Sequence, residues 1–264
     1  MIDEYELLKH STDFRDIRQL EKDYLLVLLL REIYSVFSVE LVFKGGTALK
    51  LFHSLNRFSE DLDFSYTGSW EPKERHSIYE KMNKCLDNLD RQYEIVKTEH
   101  RGNTVGNKTI GINYEISVRG PLNNRLGHLQ NIDIDISTRR DVILEPDLRY
   151  ISPVYADITT FSVPVMKIEE VLAEKILALL EREKMRDVYD LYYILSLRSV
   201  AYDREIARKK ALLRDEIFDE NVICHKLDAM NIKRKWKSEL DYLVRDLPSN
   251  DEVFSYLKRE LCKY

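Results

Sequence analysis

The segment from Val42 to Tyr66 constrains the fold of this 264-residue chain more than any other. It reads VFKGGTALKLFHSLNRFSEDLDFSY. A short apolar run is followed by two glycines and a threonine, a residue type that caps helices. A stretch with apolar residues at helical spacing comes next, and a second short apolar run ends the segment. The segment therefore predicts a strand–turn–helix–strand unit. Its predicted elements are strand Leu41–Phe43, helix Ala48–Leu55 and strand Asp61–Tyr66.

Two carboxylates on the second predicted strand indicate a metal site. Residues two apart in a strand point to the same face, so Asp61 and Asp63 lie side by side while Leu62 and Phe64 face a core. Adjacent carboxylates repel each other unless a cation lies between them. Mg²⁺, or Mn²⁺ in its place, is commonly held by one or two carboxylates together with substrate phosphates. The pair therefore predicts chemistry on a phosphate-bearing substrate.

The turn before the predicted helix adds a candidate anion site. Gly45, Gly46 and Thr47 offer backbone N–H groups and the positive end of the helix dipole to a phosphate. An anion site beside metal-binding carboxylates is typical of phosphoryl or nucleotidyl transfer.

A later strand offers a further carboxylate. Residues Leu129–Ser137 alternate strictly, with isoleucines on one face and Asp133 and Asp135 on the other. We predict that one of these two acids completes the metal site. The pattern leaves the choice open, and Asp133 is favoured because it lies nearer the middle of the strand.

Composition indicates a globular protein and excludes several classes. Apolar residues make up 44% of the chain and charged residues 33%, and a net charge of −5 argues against a general nucleic-acid coat. The longest apolar run, Tyr24–Leu30, is too short to span a membrane and predicts a buried helix. Three separated cysteines predict no disulfide framework and fit a reducing cytoplasm; they are Cys85, Cys224 and Cys262.

The order of predicted elements divides the chain near residue 165. Predicted strands and helices precede this point, and helical periodicity alone follows it. We predict an α+β protein, with a mixed-sheet domain over residues 1–165 and a helical bundle over residues 166–264. Between residues 141 and 166 we predict a loop with one strand, around Ala156–Val165.

Charged side chains mark the start of the helical half. Lys175 lies on its first predicted helix, and Asp187 and Asp190 lie three residues apart on one face of the next. A lysine ammonium group suits a triphosphate oxygen, and an aspartate suits the orientation of that lysine or of an attacking hydroxyl. An acid near a helix start is also typical of a cap, so both interpretations stay open.

The spacing of these motifs resembles a known family. The strings KGGTAL over 44–49 and RFSEDLDF over 57–64 are similar to the signature of DNA polymerase β-like nucleotidyltransferases, and within them to the AbiEii/MenT toxins. The strings EEVLAEK over 169–175 and RDVYDL over 186–191 resemble the same toxins. The turn here is Gly-Gly-Thr, where the wider superfamily has Gly-Ser, and Thr47 retains a hydroxyl.

The resemblance implies a fold and a set of site residues. It implies a polymerase β-like nucleotidyltransferase domain and a helical domain that contributes to the active-site cleft. Asp61 and Asp63 are the implied metal ligands, and Lys175 with Asp187 or Asp190 are the implied active-site residues of the helical half. The residues expected to contact the nucleotide are Lys44, Gly45, Gly46, Thr47, Arg57 and Ser59.

The resemblance also implies a function. We expect a cytoplasmic, metal-dependent toxin of a type IV toxin–antitoxin system, encoded beside its antitoxin and without a membrane partner. It would transfer a nucleotide from an NTP to an RNA acceptor such as the tRNA 3′ end and release pyrophosphate. Three alternatives stay open: transfer of AMP or another nucleotide to a protein, a nucleotide-binding regulator without turnover, and a metal nuclease. Basic segments 208–210 and 233–237 are candidate RNA contacts.

Overall fold

The computed structural model of the chain divides into two compact units. The first consists of residues 1–47, 60–140 and 146–165, and the second of residues 48–59, 141–145 and the chain from 166 on. The predicted domain boundary near residue 165 stays a prediction. The two units differ from it because residues 48–59 and 141–145 belong to the second unit. The described residues are 1–105, 108–216, 218–230 and 232–262, without the side chains of residues 108 and 232–234.

The first unit contains a mixed sheet and helices that pack on it. Its elements are α1 (Glu4–Leu8), α2 (Ile17–Val36), β1 (Leu41–Lys44), the first turn of α3 (Gly45–His53), β2 (Leu62–Tyr66), α4 (Pro72–Asp90), β3 (Ile95–Val105), β4 (Lys108–Val118), α5 (Asn123–Leu126), β5 (Gln130–Ser137), β6 (Asp147–Ile151) and β7 (Phe161–Val165). The strand order is β3-β4-β5-β2-β1-β7-β6. Strand β2 runs antiparallel to β1 and parallel to β5. This architecture confirms the predicted α+β fold class with a mixed sheet.

Alternation in the central strands separates an apolar face of the sheet from a polar one. The isoleucines of β5 are at most 1% exposed, whereas Asp133 between them is exposed. The apolar face continues through Phe64 of β2 and Phe43 of β1, which pair directly. Helix α2 contacts β5 and β7, and its run Tyr24–Leu30 is buried as predicted. The charged residues of β2 and β5 therefore belong to the face opposite this core.

The second unit is built from helices. They are the remainder of α3, α6 (Ile168–Glu181), α7 (Met185–Tyr192) with a π-helical turn (Tyr193–Leu197), α8 (Arg204–Leu213), α9 (Glu220–Ala229), α10 (Ile232–Leu240) and α11 (Asn250–Leu261). Helix α6 packs against α7 and α8, and α7 packs against α10 and α11. Helix α8 ends at Leu213 and is followed by a turn in which Asp215 has a left-handed φ of +58°.

Two element boundaries near the predicted site differ from expectation. Helix α3 begins at Gly45 instead of Ala48, because the chain turns directly from β1 into the helix at a glycine with φ of +74°. Strand β2 begins at Leu62, so Asp61 precedes it. The predicted loop after β5 contains a second strand, β6, whose residues 148–150 are exposed. Strands β3 and β4 form an antiparallel hairpin.

The cysteines correct one expectation from the sequence. Cys224 and Cys262 form a disulfide with a Cα–Cα distance of 5.8 Å, although they are 38 residues apart. The packing of α9 against α11 brings them together, and no motif in the sequence marks that packing. In the part of the chain that the structure describes, no helix has both the length and the apolar character to cross a membrane.

Candidate active site

One row of polar residues crosses the sheet of the first unit. Directly paired residues on neighbouring strands point to the same face, with Cβ atoms about 5 Å apart. The pairings of β3 with β4, β4 with β5, β5 with β2 and β2 with β1 align five residues across the sheet. We call these residues the central row. From β3 to β1 it consists of Arg101, Asn113, Asp135, Asp63 and Lys44.

The Asp63 carboxylate lies against the glycine turn that opens α3. A Cβ atom at Gly45 would come within 2.0 Å of Asp63 Oδ2, and the φ of +74° there is one that other residues rarely adopt. Glycine is therefore required on two independent grounds. The close approach places a carboxylate of the central row beside the positive end of the α3 dipole.

Thr47 connects this turn to the segment before β2. Its hydroxyl donates a hydrogen bond to the backbone carbonyl of Asp61 at 2.6 Å, and the side chain is buried. Because α3 begins at Gly45, Thr47 lies in the first turn and does not form the predicted N-cap. The bond holds Asp61 next to the start of the helix.

Asp133 lies in a strongly negative environment. It pairs with Glu115 across β4 and β5. Although Asp133 is largely exposed, its partial burial raises the pKa of its carboxyl. The charges of Asp61, Glu115 and Asp135 raise that pKa further, and Lys22 opposes them. The carboxylates on this face are thus close enough to repel one another, which is the arrangement that a bound cation relieves.

Asp135, and not Asp133, is the direct neighbour of Asp63. Among the described residues no three Asp, Glu, His or Cys side chains form a ready-made metal cage. Mg²⁺ commonly takes only one or two carboxylates, with water and substrate phosphates as its other ligands. A pair of in-register aspartates fits that mode of binding.

The second unit contains a buried network of charges. Lys175 Nζ lies 2.9 Å from Asp187 Oδ1 and 2.7 Å from Asp190 Oδ2. Arg57 binds Asp190 through two parallel hydrogen bonds of 2.6 and 2.8 Å, and Arg182 Nε donates to Asp187 at 2.8 Å. Both aspartate side chains are fully buried. We call these five residues the ion network.

The pKa values in the ion network show that its charges stabilise each other. Burial raises the pKa of Asp190, but Arg57 and Lys175 outweigh that effect and lower it overall. Burial also raises the pKa of Asp187, and Lys175 and Arg182 lower it well below the usual range. Burial lowers the pKa of Lys175, and the two aspartates raise it above its usual value. Lys175, Asp187 and Asp190 therefore remain charged at neutral pH.

A comparison with protein-family models identifies the family of this chain. The model described as "Nucleotidyl transferase AbiEii toxin, Type IV TA system" matches residues 28–258. The chain belongs to the AbiEii family. The family resemblance predicted from the sequence is thereby confirmed, and this AbiEii chain is a nucleotidyltransferase of the toxin type. Membership implies an NTP substrate and a cognate antitoxin.

Solved structures show that the AbiEii chain shares its fold with other proteins. MenT4, a nucleotidyltransferase toxin from Mycobacterium tuberculosis H37Rv, superposes with a TM-score of 0.65 at 16% identity, over 100% of this chain and 91% of MenT4. JHP933 from Helicobacter pylori superposes with a TM-score of 0.52 at 20% identity, over 94% of this chain and 91% of JHP933. No curated protein matches this chain in sequence. The structural likeness extends over almost the whole chain.

The predicted nucleotide contacts of the AbiEii chain divide between its two units. Lys44 lies in the central row, next to Asp63. Arg57 uses its guanidinium on Asp190 and on the Phe58 carbonyl, and its side chain is 3% exposed. Ser59 is buried. Phosphate contacts of all these residues stay predictions, and the geometry of Arg57 favours a supporting role.

Several of the predicted RNA contacts of the AbiEii chain are buried or ion-paired. Lys210 is fully buried between Glu170 at 2.8 Å and Glu174 at 2.9 Å, so its prediction as a surface cation is wrong. Lys235 pairs with Glu183, and Trp236 is buried. The side chains of residues 233 and 234 lie outside the described residues. Lys209 remains an exposed candidate.

Proposed function

We propose that this AbiEii chain transfers a nucleotide from an NTP to a hydroxyl of an RNA acceptor, such as the 3′ end of a tRNA. The acceptor hydroxyl gives up its proton to the solvent, and its oxygen bonds to the α-phosphorus. The bond from that phosphorus to the oxygen bridging to the β-phosphate breaks, and pyrophosphate leaves. The observation that carries the proposal is the central row, where in-register Asp63 and Asp135 adjoin a glycine-opened helix. This combination suits a metal-bridged triphosphate.

We assign the metal to the carboxylates of the first unit. Asp63 and Asp135 are its proposed ligands together with Asp61, which the Thr47 bond holds at the start of α3. Asp133 remains the alternative third acid. When bound, Mg²⁺ or Mn²⁺ supplies positive charge that polarises the phosphoryl oxygens.

The remaining site residues bind and orient the NTP in this proposal. Backbone N–H groups at Gly45 and Gly46 face the phosphates at the α3 start, and the Lys44 ammonium group supplies a point charge beside them. The phosphate contact expected for Lys175 stays a prediction from the sequence, because Asp187 and Asp190 bind its ammonium group within the second unit.

Label transfer tests the proposal. Purified protein is mixed with total tRNA, Mg²⁺ and each α-labelled NTP in turn, beside the variants Asp61→Ala and Glu60→Ala. Glu60 is the matched control, an adjacent acid that lies 4.0 Å from Lys22. We expect label on RNA with the wild type and Glu60→Ala, and none with Asp61→Ala, whose melting temperature stays near that of the wild type. Full activity of Asp61→Ala would refute the metal assignment.

The same experiment separates the alternatives. Label on protein instead of RNA would show a protein-modifying nucleotidyltransferase. NTP binding without label would show a regulator, and shortened RNA would show a metal nuclease. The cytoplasmic location stays a prediction, and the Cys224–Cys262 disulfide does not support it, because disulfides are rare in a reducing cytoplasm.

A further inference from the structure

Asn113 is a member of the central row that no feature of the sequence singles out. It lies on β4 directly opposite Asp135, and it is 7% exposed. Its Nδ2 donates a hydrogen bond to Asp135 Oδ1 at 3.0 Å. An ionised carboxylate can only accept hydrogen bonds, so this contact fixes which end of the amide faces Asp135.

The other end of the Asn113 amide is buried without a partner. Within the described residues its Oδ1 accepts no hydrogen bond. A buried acceptor without a donor lowers stability, and asparagine is also a poor strand residue compared with valine or threonine. Fold stability therefore does not explain asparagine at this position, whereas the contact with Asp135 does.

We propose that Asn113 is a positioning residue that fixes the rotation of the Asp135 carboxylate. With one oxygen of Asp135 held by the amide, the other is turned toward the cation shared with Asp63. The inference rests on the proposed function for the presence of that cation. Groups that orient a metal-ligating side chain typically contribute about 10–100-fold to metal affinity or activity when changed.

The variants Asn113→Val and Asn113→Thr test this role. Valine and threonine have the same shape, and only threonine retains a hydrogen-bond donor. Asn131→Val is the matched control, because Asn131 lies on the same face of β5, four residues from Asp135, and its amide oxygen accepts from Ser117 instead. The direct readout is Mn²⁺ affinity, measured from the signal of free Mn²⁺ by electron paramagnetic resonance without NTP or RNA.

We expect Asn113→Val to weaken Mn²⁺ binding and to lower kcat by about 10–100-fold. Asn113→Thr should lose less, and Asn131→Val should match the wild type. The melting temperature of Asn113→Val should change little, because the substitution removes the unpaired acceptor along with the bond to Asp135. If valine at position 113 does not fold, threonine carries the test.

Several results would overturn the inference. They are an Mn²⁺ affinity of Asn113→Val within twofold of the wild type, a wild type that binds no Mn²⁺, or a fall in activity matched by unfolding at unchanged Mn²⁺ affinity. The titration needs no substrate, so its result is independent of label transfer. A wild type that binds Mn²⁺ in an Asn113-dependent way but transfers no label would refute the proposed function and keep the inference.

Discussion

The two units place aspartates in opposite electrostatic environments. In the first unit, Asp133 has three neighbouring carboxylates that raise its pKa and one lysine that opposes them. In the second unit, Asp187 and Asp190 lie between Lys175 and two arginines, and their pKa values are lowered. The same residue type therefore serves two purposes. The ion network balances its charge internally, whereas the sheet gathers negative charge that favours an added cation.

The comparison explains why the two groups differ in burial. Fully buried carboxylates are tolerated only when paired and hydrogen-bonded, and both aspartates of the ion network satisfy this condition. Asp133, which faces other acids, is exposed, and Asp135 is only partly buried. Changes in the ion network should therefore act mainly on stability, and changes at the sheet mainly on cation binding and activity.

The largest expected effect on stability is that of Asp190→Asn. It leaves Arg57 and Lys175 buried without their shared countercharge, and breaking a buried pair on one side costs about 3–5 kcal/mol. The free energy of unfolding is measured by urea titration in a Trp70→Phe background, so that Trp236 in the second unit is the only fluorescent tryptophan.

The control for this prediction is Asp228→Asn. Asp228 pairs with Lys258 at the surface, where both side chains are more than 40% exposed. Such pairs contribute about 0–1 kcal/mol. Equal losses for the two variants would show that the ion network does not stabilise the second unit.

Local patterns predicted the faces of the sheet correctly, because side chains alternate with a period of two. Alternation in β5 placed Asp133 and Asp135 on the polar face, as the structure has them. Which of them lies beside Asp63 depends on the register between β2 and β5, strands about 70 residues apart. Position along one strand carries no information on that register, so the sequence alone leaves the choice between Asp133 and Asp135 open.

Long-range contacts account for the other differences. Arg57 carries the sequence context of a phosphate ligand, but it pairs with Asp190 on a helix 133 residues later. Lys210 lies in a basic run, yet packing of α8 on α6 buries it between two glutamates. Periodicity specifies which residues face a neighbour, and it does not specify the neighbour.

The pH dependence of stability sharpens the comparison. The folded-state pKa values of Asp187 and Asp190 lie below their usual value of 3.8, so unfolded chains bind protons first as the pH falls. Their contribution is complete above about pH 4 and is lost progressively below it. Urea titrations at about pH 5, 4 and 3 should show a steeper loss of unfolding free energy for the wild type than for Asp190→Asn. Parallel curves would contradict this assignment.

The smallest expected effect, and the one of opposite sign, is that of Asp133→Asn. The raised pKa of Asp133 means that its ionised form is disfavoured in the folded state, so removing the charge should raise the melting temperature slightly at pH 7. The gain should disappear near pH 3, where the carboxyl is protonated in both states, and it should shrink at high salt, which screens exposed charges. Thermal unfolding of both proteins at the two pH values measures it. A fall in melting temperature at pH 7 would mean that a cation compensates the charge of Asp133, as cations compensate the aspartates of the ion network. The electrostatic contrast between the two units would then be lost.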